Sequence, residues 1–123
     1  MNRMVLVDTS VWVLHLRKGS INLEKLLTDG DVISHPFIVS ELACGNIKKR
    51  SEILSLLQTL PMAAQAEHEE AMEFIEYYKL MGKGLGYIDV HLIASAILTG
   101  APIWTLDRKL DEASSKFGLR FSY

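Results

Sequence analysis

Apolar residues are distributed along the chain in two patterns. Short continuous runs are typical of strands buried on both faces, and they predict strands at residues 4–7, 31–34, 62–63, 102–106 and 119–121. Longer segments with apolar residues at helical spacing predict helices at residues 10–16, 22–29, 36–45, 48–60, 67–81, 87–99 and 107–116. This alternation predicts a single domain over residues 1–123, an α/β/α sandwich around a central parallel sheet of about four to five strands.

Local sequence features set several of these boundaries. Asn22 is a residue type that caps helices, so it is predicted to begin the second helix. Pro36 stands at a helix start, where its missing N–H costs nothing. The helix at residues 87–99 is predicted to bury a stripe that includes Leu92, Ile93 and Ile97.

Four acidic residues occupy positions that packing does not explain. Asp8 and Asp107 each follow a predicted strand directly, while Glu41 and Asp89 lie on the apolar faces of their predicted helices. Strand carboxyl ends and the starts of the following helices share one edge of a parallel sheet, so the four carboxylates are expected to converge there. Taken singly, each could instead be a helix cap, a first-turn acid or a half-exposed side chain.

Converging carboxylates repel one another unless cations lie between them. Oxygen donors without cysteine suit Mg²⁺ or Mn²⁺, and Asp111, one turn after Asp107, could add a fifth oxygen donor. Thr9, Ser10 and Thr105 could orient metal waters or phosphate oxygens, or could be ordinary strand-end hydroxyls. The pattern therefore predicts a metal site at one edge of the sheet.

Composition narrows the setting of this chemistry. The chain of 123 residues has a formal net charge of −2, which argues against broad adhesion to nucleic acid but leaves room for a local basic rim. Cys44 is the only cysteine, so neither an internal disulfide nor a cysteine-based zinc site is expected. The sequence has no signal-peptide pattern and no apolar run long enough to span a bilayer, which predicts a cytoplasmic protein with no membrane association.

Four segments carry a resemblance to a known family. Residues 7–12 (VDTSVW), 39–42 (VSEL), 84–96 (GLGYIDVHLIASA) and 105–110 (TLDRKL) are similar, in order and spacing, to the motifs of PIN domains of the VapC toxin type. The resemblance covers essentially the whole chain. It implies Asp8, Glu41, Asp89 and Asp107 as catalytic metal ligands, with Asp111 as a rival or helper for the fourth acid.

The same resemblance implies a function and partners. The family is one of Mg²⁺-dependent endoribonuclease toxins that are usually homodimers and are silenced by a VapB-type antitoxin. Hydrolysis of an RNA phosphodiester bond is expected to leave a 5′-phosphate and a 3′-hydroxyl. Basic residues that could form a rim for RNA phosphates are Lys48, Lys49, Arg50, Lys79, Lys83, Arg108 and Lys109. An apolar groove for the antitoxin is expected on the helical segments at residues 11–16, 23–27 and 53–60.

Three alternatives remain at this point. An aspartyl-phosphate phosphatase would need a second Asp two residues after Asp8, where Ser10 stands. A phospho-accepting receiver-like domain would need a Lys at a strand end, whereas Lys109 lies beyond the strand. The third is a catalytically silent PIN-like module that binds protein, and the retained acids argue against it. Metal-dependent cleavage of RNA separates all three from the first interpretation.

Overall fold

The computed structural model of the protein describes residues 4–123. Helices cover both faces of a small parallel sheet, and strands and helices alternate as predicted. The elements are β1 Val5–Val7, α1 Thr9–Lys18, α2 Ile21–Thr28, β2 Val32–Ile33, α3 Pro36–Ala43, α4 Arg50–Thr59, α5 His68–Tyr78, α6 Tyr87–Thr99, β3 Ile103–Trp104 and α7 Arg108–Lys116.

The strands are parallel and lie in the order β2-β1-β3. Val5 pairs with Val32 and Leu6 with Ile103, which places β1 at the centre. The segments predicted as strands at residues 62–63 and 119–121 form single parallel bridges, Ser34 to Met62 and Ile103 to Arg120, at the two outer edges. The parallel α/β/α architecture is thus confirmed, and residues 4–123 form three regular strands and two flanking bridges.

The sheet is buried because its residues are apolar on both faces. Every residue of β1 is fully buried, and Trp12, Leu92 and Ile93 pack into the same core. Burial of each large apolar side chain of this kind contributes about 1.5–3 kcal/mol. No helix within residues 4–123 is long and apolar enough to cross a bilayer.

Two local predictions are wrong. Ser20, not Asn22, caps α2, because its hydroxyl accepts the N–H of Leu23 at 3.2 Å and the helix begins one residue earlier. Ile97 is 41% exposed, because the turn of α6 that carries it lies at the margin of the buried stripe. Pro36 is the first residue of α3, as expected.

The parallel arrangement places the ends of the strands on one side of the molecule. β1 leads through Asp8 into α1, β2 through His35 into α3, and β3 through Thr105 to Asp107 and α7. The carboxyl edge of the sheet therefore gathers polar residues from three separate parts of the chain.

Candidate functional site

Asp8 is the most deeply placed of the predicted acids. It ends β1 with 7% of its surface exposed. The hydroxyls of Ser10 and Thr105 donate to its Oδ2 at 2.8 and 2.7 Å, which satisfies one oxygen and fixes the orientation of the carboxylate. Because both bonds fall on Oδ2, they do not involve Oδ1. The sequence suggested that these hydroxyls could orient ligands at the site or be ordinary strand-end groups. In the structure, both hydroxyls contact the carboxylate of Asp8.

Asp89 and Asp107 lie at the starts of helices, and each accepts one hydrogen bond from a backbone N–H. Asp89 lies at the third position of α6, and its Oδ2 accepts the backbone N–H of Gly86 at 3.0 Å. Asp107 is the N-cap of α7, and its Oδ1 accepts the N–H of Leu110 at 3.0 Å. Each bond satisfies a backbone donor that a helix start would otherwise leave unpaired. Because the cap uses only Oδ1 of Asp107, this residue can cap α7 and also belong to the site.

Three of these acids lie close enough to interact electrostatically. Burial raises the pKa of Asp89, the N–H of Gly86 opposes that change, and the negative charges of Asp107 and Asp8 raise the pKa further. The protonation of Asp89 is therefore coupled to the charges of the other two carboxylates. Asp8, Asp89 and Asp107 are called the carboxylate cluster below.

Glu41 lies at the rim of this cluster. It is exposed, so the prediction that it faces the core is wrong, because α3 turns Ile38 and Leu42 inward instead. The hydroxyl of Thr9 donates to Glu41 Oε1 at 2.7 Å, which ties the side chain to the residue next to Asp8. Glu41 is thus linked to the site from α3 through a single hydrogen bond.

Asp111 has a different partner. Arg120 donates to it through Nε at 3.1 Å and forms an ion pair through Nη2 at 2.9 Å, so both carboxylate oxygens are used. This pair ties α7 to the bridge at residue 120 beside β3. The geometry favours a structural role for Asp111.

Two histidines form a second group of titratable side chains near the same edge. His35 caps α3 by accepting the N–H of Phe37 at its Nδ1, and its ring lies 6.5 Å from that of His91. Phe37 and Tyr87 pack against His91 with ring centroids 5.0 and 4.5 Å away. These four residues are called the imidazole cluster. Within the described residues, the Nε2 atoms of both histidines are buried without a hydrogen-bond partner.

The charges in the imidazole cluster are suppressed. Burial, together with repulsion from His91, lowers the pKa of His35 to about 4. Burial and repulsion from His68 likewise lower the pKa of His91. Both rings are therefore neutral near pH 7, and they pack as aromatic side chains. His91 faces this cluster and not the carboxylates, as expected from its position two residues after Asp89.

The side chains that could bind a metal here offer only oxygen atoms, and they do not surround a single point. Across residues 4–123, no three acidic, histidine or cysteine side chains lie close enough to enclose one ion. A closed zinc-type cage is therefore absent from this region, whereas Mg²⁺ binds through one or two carboxylates and keeps several waters. The mutual repulsion within the carboxylate cluster and the single hydrogen-bonded oxygen on each member fit such a cation.

The fold and this site define a parallel α/β protein with acids from separate elements at the carboxyl edge of its sheet. The sequence profile of the PIN domain matches residues 5–116. Ribonuclease VapC32 of Mycobacterium tuberculosis is 40% identical over 117 residues, covering 94% of both chains. The chain belongs to the PIN domain family, and its relatives place it among the VapC-type members.

More distant similarities agree with this assignment. Ribonuclease VapC1 of Methanocaldococcus jannaschii is 27% identical over 119 residues, covering 94% of this chain and 85% of the relative. The crystal structure of PAE2754 from Pyrobaculum aerophilum aligns with a TM-score of 0.61, covering 89% of this chain and 78% of that one. Because the identity to that structure is 16%, it supports the fold alone.

Proposed function

We propose that this protein is a metal-dependent endoribonuclease toxin that hydrolyses RNA to products with a 5′-phosphate and a 3′-hydroxyl. The observation that carries the proposal is the carboxylate cluster: Asp8, Asp89 and Asp107 come from three elements to one edge of the sheet, each accepts hydrogen bonds at one oxygen, and the charges of Asp107 and Asp8 add to the effect of burial on the pKa of Asp89. Such repulsion is tolerated where a cation offsets it. The names of the VapC relatives, both described as ribonucleases, support RNA as the substrate.

Asp8, Asp89, Asp107 and Glu41 are the proposed residues of the Mg²⁺ site, with Mn²⁺ as a substitute; one or two of them would bind the ion directly and the others would bind its waters. When bound, the metal would lower the pKa of water and offset charge on the phosphate. Ser10 and Thr105 hold Asp8 in one orientation, and Thr9 restrains Glu41. The raised pKa of Asp89 belongs to the metal-free protein, and a bound cation would offset the repulsion that contributes to it. Attack by water on phosphorus breaks the bond to the 3′ oxygen, which leaves as a hydroxyl after gaining a proton.

The direct test is cleavage of labelled RNA by the pure protein in Mg²⁺ and in chelator. We expect cleavage only with metal, and its loss in Asp8→Asn. The matched control is Asp29→Asn, because Asp29 ends α2 at the opposite edge of the sheet. End-group analysis should find 5′-phosphates. Metal-independent cleavage, or products with 2′,3′-cyclic phosphates, would contradict the mechanism, because the latter arise when the RNA's own 2′-hydroxyl attacks.

We also propose that a VapB-type antitoxin neutralises the protein by covering apolar surface on α1, α2 and α4. Within these helices Val11, Trp12 and Leu57 are buried, whereas Leu14 and Leu56 are 39% and 41% exposed. Part of the predicted groove is therefore available to a partner. Leu14→Glu with Leu56→Glu should prevent neutralisation by the antitoxin while RNA cleavage continues. Unchanged neutralisation would place the antitoxin elsewhere.

The resemblance to VapC toxins also supports a homodimer. Sedimentation velocity over a range of protein concentrations tests this proposal, and we expect a mass twice that of the chain. A monomer at all concentrations would contradict it.

A further inference from the structure

A pocket of about 300 Å³ lies between the end of α5, the loop that follows it, and one face of α7. Three lysines and one glutamate line it together with apolar and aromatic side chains. The residues that matter are Tyr78, Lys83, Leu85, Lys109, Lys116 and Phe117, and the site is called the lysine pocket below.

The lysines are presented on one side of the molecule. Lys109 and Lys116 are seven residues apart on α7, so they lie on the same helix face about 10 Å apart along its axis. Lys83 approaches from the loop. Among residues 4–123 none of the three forms an ion pair, and the nearby acid, Glu112, is paired with Arg108 at 3.1 Å. The pocket therefore has an uncompensated positive charge.

The side chain of Lys109 lies against the loop that contains Gly84. Gly84 has a φ of +78°, and a Cβ there would overlap the aliphatic part of the Lys109 side chain. The backbone conformation favours glycine at this position, and the contact shows that the Lys109 side chain lies against the loop. The chain runs on from Gly84 to Gly86, which binds Asp89, and Lys109 is two residues after Asp107. The loop and α7 consequently join the lysine pocket to the carboxylate cluster.

The pocket also offers an aromatic surface. Tyr78 is 46% exposed, and its ring meets Phe117 edge-on with centroids 4.9 Å apart. Phe117 in turn stacks on Phe74 at 5.5 Å, which fixes its orientation. Lysines around an exposed aromatic ring match the two parts of a nucleotide, because the lysines pair with phosphate and the ring stacks with a base.

We propose that the lysine pocket binds a single-stranded part of the RNA substrate beyond the cleaved bond, with phosphates on Lys83, Lys109 and Lys116 and a base on Tyr78. The proposal rests on the proposed ribonuclease function and adds the surface that holds the substrate. Three lysines close to repelling carboxylates would also draw the phosphate backbone toward the site, which the overall net charge of −2 would not do.

The test measures binding of a fluorescent single-stranded RNA to protein with Asp8→Asn, which holds RNA without cutting it. Lys83→Ala with Lys116→Ala should raise Kd at least about tenfold. It should also reduce the slope of log K against log salt by about 1.4, because each phosphate contact on a single strand contributes about 0.7. The matched control replaces Lys18 and Lys25, which lie on α1 and α2 outside the pocket. Binding and slope equal to the control would overturn the proposal.

Two further variants separate the parts of the pocket. Tyr78→Leu keeps apolar packing and removes the stacking surface, so it should weaken binding with no change in the salt slope. Lys109→Ala removes the third lysine, so it should weaken binding and lower the salt slope by about 0.7. An unchanged slope would contradict the role given to Lys109.

Activity measurements distinguish failure of the pocket from failure of the function. In the cleaving protein, the lysine variants should lose kcat/KM mostly through KM. If the parent cleaves RNA and the lysine variants bind it normally, the pocket is wrong and the function stands. If the parent never cleaves RNA but the lysine variants lose binding, the enzymatic function is wrong and the RNA surface stands.

Discussion

The carboxylate cluster and the imidazole cluster both lie at the carboxyl edge of the sheet and both contain buried titratable groups, yet their environments differ. Burial, and then the negative charges of Asp107 and Asp8, raise the pKa of Asp89, while each member of its cluster accepts hydrogen bonds at one oxygen. His35 and His91 are held neutral by burial and packed among aromatic rings. Like charges gathered at one edge of a sheet indicate a functional site, whereas rings that burial keeps neutral and that pack against aromatic side chains behave as part of the core.

The largest expected effect is on cleavage, and it separates the clusters directly. Asp89→Asn should lower kcat/KM by at least about 1,000-fold, which corresponds to about 4 kcal/mol of transition-state stabilisation. His91→Phe replaces one buried ring by another and should stay within about tenfold of the parent, or about 1.4 kcal/mol. Rates for both variants against RNA are the measurement. A comparable loss in the two would remove the distinction.

The next effect is on acid stability and involves His35. Its pKa is about 4 in the folded protein, below its ordinary value of 6.5, so folding is favoured when the ring is neutral. This contribution is fully present above pH 6.5 and is lost as the pH falls toward 4, with an upper bound of about 3 kcal/mol. His35→Asn retains a capping side chain and does not titrate. Urea unfolding at several pH values should show a smaller loss for the variant, and parallel curves would refute this.

A smaller effect of opposite sign is expected in the carboxylate cluster. The raised pKa of Asp89 means that the metal-free protein loses stability as the pH rises through that pKa. Asp89→Asn removes this loss and should stabilise the metal-free protein by no more than about 1 kcal/mol, since solvent screens the partly exposed group. Added Mg²⁺ should stabilise the parent more than the variant. A variant that is less stable in chelator, with an unchanged response to Mg²⁺, would identify Asp89 as a structural cap.

The smallest effect is expected for Asp111, an acid that lies near the cluster and belongs to neither group. Its pair with Arg120 is partly exposed, so Asp111→Asn should cost at most about 1 kcal/mol of stability. Cleavage should remain within about threefold of the parent, or about 0.7 kcal/mol. Thermal unfolding and the RNA assay together measure both values. A loss of cleavage as large as that of Asp89→Asn would make Asp111 a metal ligand.

The carboxylate cluster could be predicted from the sequence because the ends of strands are easily recognised. Asp8 and Asp107 follow short apolar runs, and Asp89 lies one turn before a buried stripe. Glu41 was placed on the wrong face, because Phe37 and Ile38 lie next to each other and only packing decides which of them faces inward. Lys116 was not among the predicted basic residues, since its relation to Lys83 depends on contact between α7 and a distant loop.

The sequence by itself determined the alternation of strands and helices, the parallel sheet and the edge at which the acids gather. These follow from periodicity and chain direction, which are local properties. The tertiary structure alone decided the hydroxyl partners of Asp8, the pairing of Asp111 with Arg120 and the neutral state of His35. Each of these depends on side chains brought together from separate parts of the chain, whose burial and hydrogen bonding no local pattern specifies.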